Sequence, residues 1–137
     1  MALGAGLLVF VGGGTGALLR YGLVRWSETA FGAAFPYGVL LANIMGSFAM
    51  GMLTGWLIAR AGGLQGFLDL EGHEAARAAL ATGLLGGFTT FSAFSLDAVR
   101  LWENGAIGSA VAYVALSVGL AIGALIVGLT IARQVWA

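Results

Sequence analysis

A membrane-length apolar segment runs from about Ala75 to Val99, and near its middle stands Gly86-Gly87-Phe88-Thr89-Thr90-Phe91-Ser92-Ala93-Phe94. Two glycines followed by hydroxyl side chains are poor material for an uninterrupted apolar helix. Each unpaired backbone group in hydrocarbon costs several kcal/mol, so irregular backbone at that depth persists only where protein surrounds it or where it lines a pathway. The segment therefore predicts a third span broken near the bilayer midplane, with something crossing the membrane beside it.

The rest of the chain fits a membrane setting. Hydrophobic residues make up 60% of the 137 and charged residues 9%, against roughly a quarter charged in soluble domains. Four runs are long enough to span, roughly 2–26, 36–59, 75–99 and 105–133. They fill residues 1–137 as a single all-α domain of four transmembrane helices, with no soluble module. The first run starts at Met1 without a basic stretch and continues past Arg20, which reads as a retained helix rather than a signal peptide. No cysteine is present, so disulfides, thiolate metal sites and cysteine nucleophiles are excluded. The formal charge is zero, which favours neither nucleic acid nor an anionic lipid surface as a partner.

Orientation in a bilayer normally follows the arginine and lysine bias between alternate loops. Here the termini and second loop hold Arg60, Arg77 and Arg133, while the first and third loops hold Arg20, Arg25 and Arg100. That is three against three with no lysine, or three to two if Arg20 is counted as intramembrane, too even to fix a direction. The balance permits insertion both ways up and hence an antiparallel homodimer; a single orientation is the alternative if one arginine is misplaced.

The first connection, 27–35, closes on Pro36, which suits the first turn of the second helix because its missing N–H is not needed there. The second, 60–74, holds Asp69, Glu71, Gly72, His73 and Glu74, acidic residues suited to the start of the third helix. The third, 100–105, turns around Asn104-Gly105. Each span also carries a Gly-x-x-x-Gly pair: Gly12 and Gly16, Gly51 and Gly55, Gly83 and Gly87, Gly119 and Gly123. Close helix packing is the ordinary use of such pairs, with Gly86 and Gly87 set apart because they adjoin the hydroxyl cluster.

Several polar groups lie inside the spans. Asn43 offers donors and an acceptor that lipid cannot satisfy, either for an interhelical bond worth on the order of 1 kcal/mol or for a donor facing an anion route. Thr89, Thr90, Ser92 and Ser95 follow the glycines; bonding back to their own helix is the bland use, but carbonyls freed at a helix break are ready cation ligands. Phe91 and Phe94 share a face, ordinarily for packing, although a ring edge carries partial positive charge and can meet an anion. Tyr113 and Ser117 share a face of the fourth span, and Asp97 ends the third, in reach of Arg100. Arg20 is the one charge well inside a span, placed to snorkel or to set positive potential at a pore mouth.

No acidic residue is expected in the inner part of a span, and the single histidine, His73, lies in a loop, so a proton relay lacks carriers. No phosphate-binding loop, His-Glu metal motif or nucleophile elbow occurs, so no enzyme chemistry is suggested.

Taken in order, Gly12-Gly13-Gly14-Thr15-Gly16-Ala17 leading to Arg20-Tyr21, Pro36-Tyr37-Gly38 followed by Asn43 and Gly46-Ser47-Phe48, and the run from Gly86 to Ser95 resemble the Fluc-type fluoride channels, the CrcB family. The likeness covers essentially the whole chain. It implies a dual-topology antiparallel homodimer in a prokaryotic cytoplasmic (inner) membrane, with two fluoride pores and one central structural sodium ion. By position, Phe91 and Phe94 match phenylalanines whose ring edges face fluoride, and Asn43 matches the pore asparagine. Ser92, Tyr113 and Ser117 fall in the polar track, Arg20 matches a vestibule arginine, and the carbonyls of Gly86 and Thr89 match the sodium ligands. Two positions depart: Val39 stands where threonine is common, removing a hydroxyl, and Asp97 replaces glutamate, shortening a carboxylate.

The residues agree with that implication, since a strongly hydrated small anion needs replacement donors that do not trap it. Passive export of fluoride is therefore the expected function, with fluoride, membrane lipid and a second copy as partners. Two other readings compete. A proton-coupled exporter of organic cations would need a deep titratable carboxylate, and a non-conducting assembly subunit would use its glycines and hydroxyls only for packing.

Overall fold

The computed structural model describes residues 2–62 and 74–136, all helices and short turns with no strand among them. Four helical stretches are long and apolar enough to cross a membrane: Gly4–Phe31, Tyr37–Arg60, Glu74–Glu103 and Ile107–Trp136. Large apolar side chains such as Leu7, Phe10, Val11, Ile122 and Ile126 are exposed along them. In water such surfaces would drive association; in lipid they are the natural exterior.

The first helix outlasts its apolar run. It continues through Phe31 instead of ending before Ser27, because the polar residues there serve the helix. Ser27 Oγ donates to the Val24 carbonyl at 2.8 Å, Thr29 Oγ1 to that of Trp26 at 2.7 Å, and Arg25 pairs with Glu28 at 2.8 Å. Gly32, at φ +81°, ends it. Pro36 then stands at the N-cap, just outside the second helix, and its carbonyl accepts from the Leu40 amide. Asp69, Glu71, Gly72 and His73 lie outside the described residues; Glu74 opens the third span.

That span is not one regular helix. After Glu74–Ala76 it widens into a π-helix over Arg77–Leu85, returns to α geometry for Gly86–Phe88, breaks, and resumes at Phe91–Glu103. Asn104-Gly105, the latter at φ +75°, turns the chain into the last helix.

Glycine sets how closely these helices meet. A Cβ on Gly12 or Gly16 would run into the backbone of Ala79, Leu84 and Phe88, and one on Gly87 into Gly13, so the first helix lies backbone to backbone on the first half of the third span. Gly51 and Gly55 do the same for the second and last helices, against Leu125, Leu129 and Ala132. Gly12 with Gly16 and Gly51 with Gly55 thus pack as expected, and Gly87, although set beside the hydroxyl cluster, packs closely on Gly13 as well. Around Gly119 and Gly123, by contrast, there is open space. The buried core joins Val39, Leu40, Phe94, Leu101, Ala110 and Tyr113, behind the break.

Candidate functional site

Thr89 and Thr90 are the break. Both are extended, at φ −86°, ψ 158° and φ −155°, ψ 124°, so the helical ladder is interrupted for two residues. The first half still closes on Thr89, whose amide and Oγ1 each donate to the Leu85 carbonyl at 3.0 Å. One residue on, the amide of Thr90 donates to Asn43 Oδ1 at 2.8 Å, and Asn43 Nδ2 donates to the Thr90 carbonyl at 3.0 Å. The Asn43 side chain thus behaves like a strand partner brought in from the second helix. Gly46, one turn further along, gives the break room: a Cβ there would overlap the Thr89 methyl and crowd the Phe88 ring.

The second half starts with its own cap. Thr90 Oγ1 accepts from the Ala93 amide at 3.2 Å and shares a second 3.2 Å contact with Ser92 Oγ. This is the N-cap role for which threonine is favoured, and it answers one of the amides a helix start leaves open. The two side-chain bonds have a shared effect. Thr90's amide is diverted from the Gly86 carbonyl to Asn43, and Ala93's amide from the Thr89 carbonyl to Thr90 Oγ1. Gly86 and Thr89 are thus the carbonyls whose donors are taken by side chains, while Gly87 and Phe88 lose theirs because the Phe91 and Ser92 amides belong to the next helix. Hard oxygens of this kind suit a hard cation, but such ions take about six ligands, more than the two one chain supplies here.

The break also brings opposite helix ends together. The C-terminal end of 86–88 carries partial negative charge and the N-terminal end at Phe91 partial positive charge, so a cation is favoured on one side and an anion on the other.

A cleft of about 320 Å³ opens beside the break, lined by Asn43, Ser47, Thr89, Phe91, Phe94 and Ser117 among mainly apolar neighbours. Phe91 is 78% exposed on the single chain and Phe94 8%, with ring centroids 5.3 Å apart. Phe94 in turn packs on Tyr113 at 5.4 Å, and Phe35 meets Tyr113 edge-on at 5.5 Å. Tyr113 is fully buried and Ser117 nearly so, yet neither hydroxyl closes a hydrogen bond among the described residues. Buried hydroxyls without partners are uncommon and call for an explanation.

A second cavity, about 490 Å³, is lined by Arg20, Val39, Asp97 and Arg100 together with Glu28 and Asn104. Asp97 stands six residues before the end of its helix, deeper than the apolar run indicated, because the helix continues to Glu103. It shares the cavity with Arg100 without closing an ion pair. Arg20 Nε donates to the Gly87 carbonyl at 3.3 Å. The Tyr113 hydroxyl lies near the Asp97 carboxylate and the Ser117 hydroxyl.

The structure therefore gathers Asn43, Thr89, Phe91, Phe94 and Ser117 around one cleft, with Tyr113 behind Phe94. Ser92 and Gly86 are exposed and do not line it, and Arg20 belongs to the other cavity. Thr90 is the residue whose weight the sequence understated. Its signal was a threonine three residues ahead of Ala93 at a helix start, a capping arrangement legible only once the break is placed after Phe88.

These features define a small four-span membrane protein with an interrupted third span and a cleft of ring edges, amide and hydroxyls at the interruption. Residues 7–129 match the family described as CrcB-like protein, Camphor Resistance (CrcB), and the chain belongs to that family. Among similar proteins is the "Fluoride-specific ion channel FluC" of Rhodopseudomonas palustris (strain BisB5), 46% identical over 129 residues, spanning 94% of this chain and 97% of that one. The protein of the same name from Beijerinckia indica subsp. indica is 47% identical over 128 residues, covering 93% and 95%. That from Chelativorans sp. (strain BNC1) is 48% identical over 129 residues, covering 94% and 96%.

Proposed function

We propose that this chain is a passive fluoride-selective channel of a prokaryotic cytoplasmic membrane, working as an antiparallel pair with two pores. The observation that carries this is the cleft where Asn43, the two phenylalanines and the unpartnered Ser117 hydroxyl meet at a helix break. Fluoride holds its water tightly, and conduction requires substitutes that replace that water without trapping the ion. Asn43 has an Nδ2 hydrogen beyond the one given to Thr90, Ser117 and Tyr113 have unused hydroxyls, and the rings offer edges. The names of the relatives supply the ion.

A second copy follows from what one copy lacks. Phe91 and the open cleft stand uncovered on the single chain, and the carbonyls of Gly86 and Thr89 provide half a cation shell or less. In this reading a structural sodium ion is held by those carbonyls from both chains and offsets their negative ends.

Purified protein in liposomes is expected to release fluoride and retain chloride; chloride efflux at a comparable rate overturns the selectivity. Cross-linking from paired sites is expected to report oppositely oriented copies, and a parallel pair overturns the assembly. The sodium ion is tested separately, by dissociation of the solubilised pair. Dissociation unchanged by sodium-free buffer removes it from the reading.

A further inference from the structure

Arg20 has a use distinct from lending charge to a cavity. Its Nε donates to the carbonyl of Gly87, in the last turn before the break, and the guanidinium makes no other hydrogen bond among the described residues. The normal donor to that carbonyl would be the Phe91 amide, which belongs to the next helix across the interruption. Close approach makes the bond feasible: Gly16, one turn before Arg20, meets the backbone of Leu84, Gly87 and Phe88 so tightly that a Cβ would collide.

We propose that Arg20 is a positioning residue, a C-cap delivered from another helix, which holds the end of the first half-helix and so fixes the geometry of the break. Four carbonyls end that half-helix, those of Leu85 to Phe88. Leu85 is answered by Thr89 and Gly87 by Arg20, while Gly86 between them loses its donor to Asn43 and Phe88 loses the Ser92 amide to the next helix. Arg20 thereby helps decide which carbonyl stays open. A cation at a helix C-terminus also offsets the partial negative charge there, beside a cleft meant for an anion.

Glutamine separates this role from that of simple charge, because its Nε2 sits at the same distance along the side chain as arginine Nε and donates without carrying charge. Arg20→Met removes donor and charge; Arg20→Asn stays polar but is one methylene too short, and serves where the methionine variant does not fold. All three are expected to conduct less fluoride than the parent through loss of charge. Amide exchange over 86–93, read by mass spectrometry on the solubilised protein, distinguishes them. Protection is expected to persist in Arg20→Gln and to fall roughly tenfold or more in Arg20→Met and Arg20→Asn, the size expected for a lost charge-assisted bond. In vesicles, the fluoride-to-chloride ratio is expected to be higher in Arg20→Gln than in the other two.

Equal exchange in the glutamine and donor-less variants, whether protected or not, overturns the capping role. The flux arm rests on the channel reading and fails with it if the parent protein does not release fluoride; the exchange arm decides the cap independently.

Discussion

Asn43 and Thr90 exchange two hydrogen bonds, amide to Oδ1 at 2.8 Å and Nδ2 to carbonyl at 3.0 Å, so a side chain on one helix completes the backbone of another where that backbone stops being helical. Lipid offers no substitute for either bond. The pairing makes Asn43 part of the scaffold and part of the cleft at once. Asn43→Ala should strip Thr90 of both partners, at a cost of about 1–3 kcal/mol for each buried group left unpaired. Fluoride efflux should drop at least tenfold and thermal stability of the solubilised protein should fall with it. Unchanged efflux would mean the ion passes elsewhere.

The two phenylalanines should respond differently because their burial differs. Phe94 packs on Tyr113 within the core, whereas Phe91 lies on the open side of the cleft. Phe91→Ile is expected to slow fluoride movement while leaving the fold of the single chain intact, since little packing is lost. Phe94→Ala should slow flux and also destabilise, by roughly 3 kcal/mol as for a buried aromatic in a well-packed core. Circular dichroism during heating, read beside vesicle efflux, separates the two effects; equal destabilisation by both would contradict the burial difference.

Much of this architecture was legible because hydrocarbon tolerates so few arrangements. The run from Gly86 to Phe94 could not continue as a plain helix, and the break at Thr89-Thr90 is its consequence. What escaped the sequence depends on partners distant along the chain. Asn43 is 47 residues from Thr90, and Arg20 is 67 from Gly87, so no local pattern pairs them. The end of the first helix is illegible for a different reason: Ser27, Thr29 and Glu28 look like loop residues by composition, yet their bonds to Val24, Trp26 and Arg25 extend it.

Glycine substitutions should follow the space around each position. Gly16→Ala and Gly51→Ala place a methyl against backbone of the third span and the last helix, and backbone cannot step aside as a flexible side chain can. Both should lower the yield of folded protein and its melting temperature. Gly119→Ala and Gly123→Ala face open space within the chain, so secondary structure and unfolding of the solubilised monomer should match the parent. Melting behaviour that is the same for all four would show that the close approaches do not set helix packing.

Tyr113 and Ser117 present the sharpest contrast between stability and function. Their hydroxyls are buried and close no hydrogen bond among the described residues, and a buried polar group in that state costs the chain roughly 1–3 kcal/mol relative to a satisfied one. Tyr113→Phe and Ser117→Ala remove the hydroxyl and little else, so each variant should be as stable as the parent or more stable by about 1 kcal/mol. If the hydroxyls are kept to take the place of water around fluoride, the same variants should conduct less, with the larger loss at Ser117, which lines the cleft directly. Unfolding by denaturant and efflux from vesicles measure the two sides. A variant that gains stability and keeps full flux would remove its hydroxyl from the route, whereas opposite signs in the two measurements would identify a group retained for the ion at the expense of the fold.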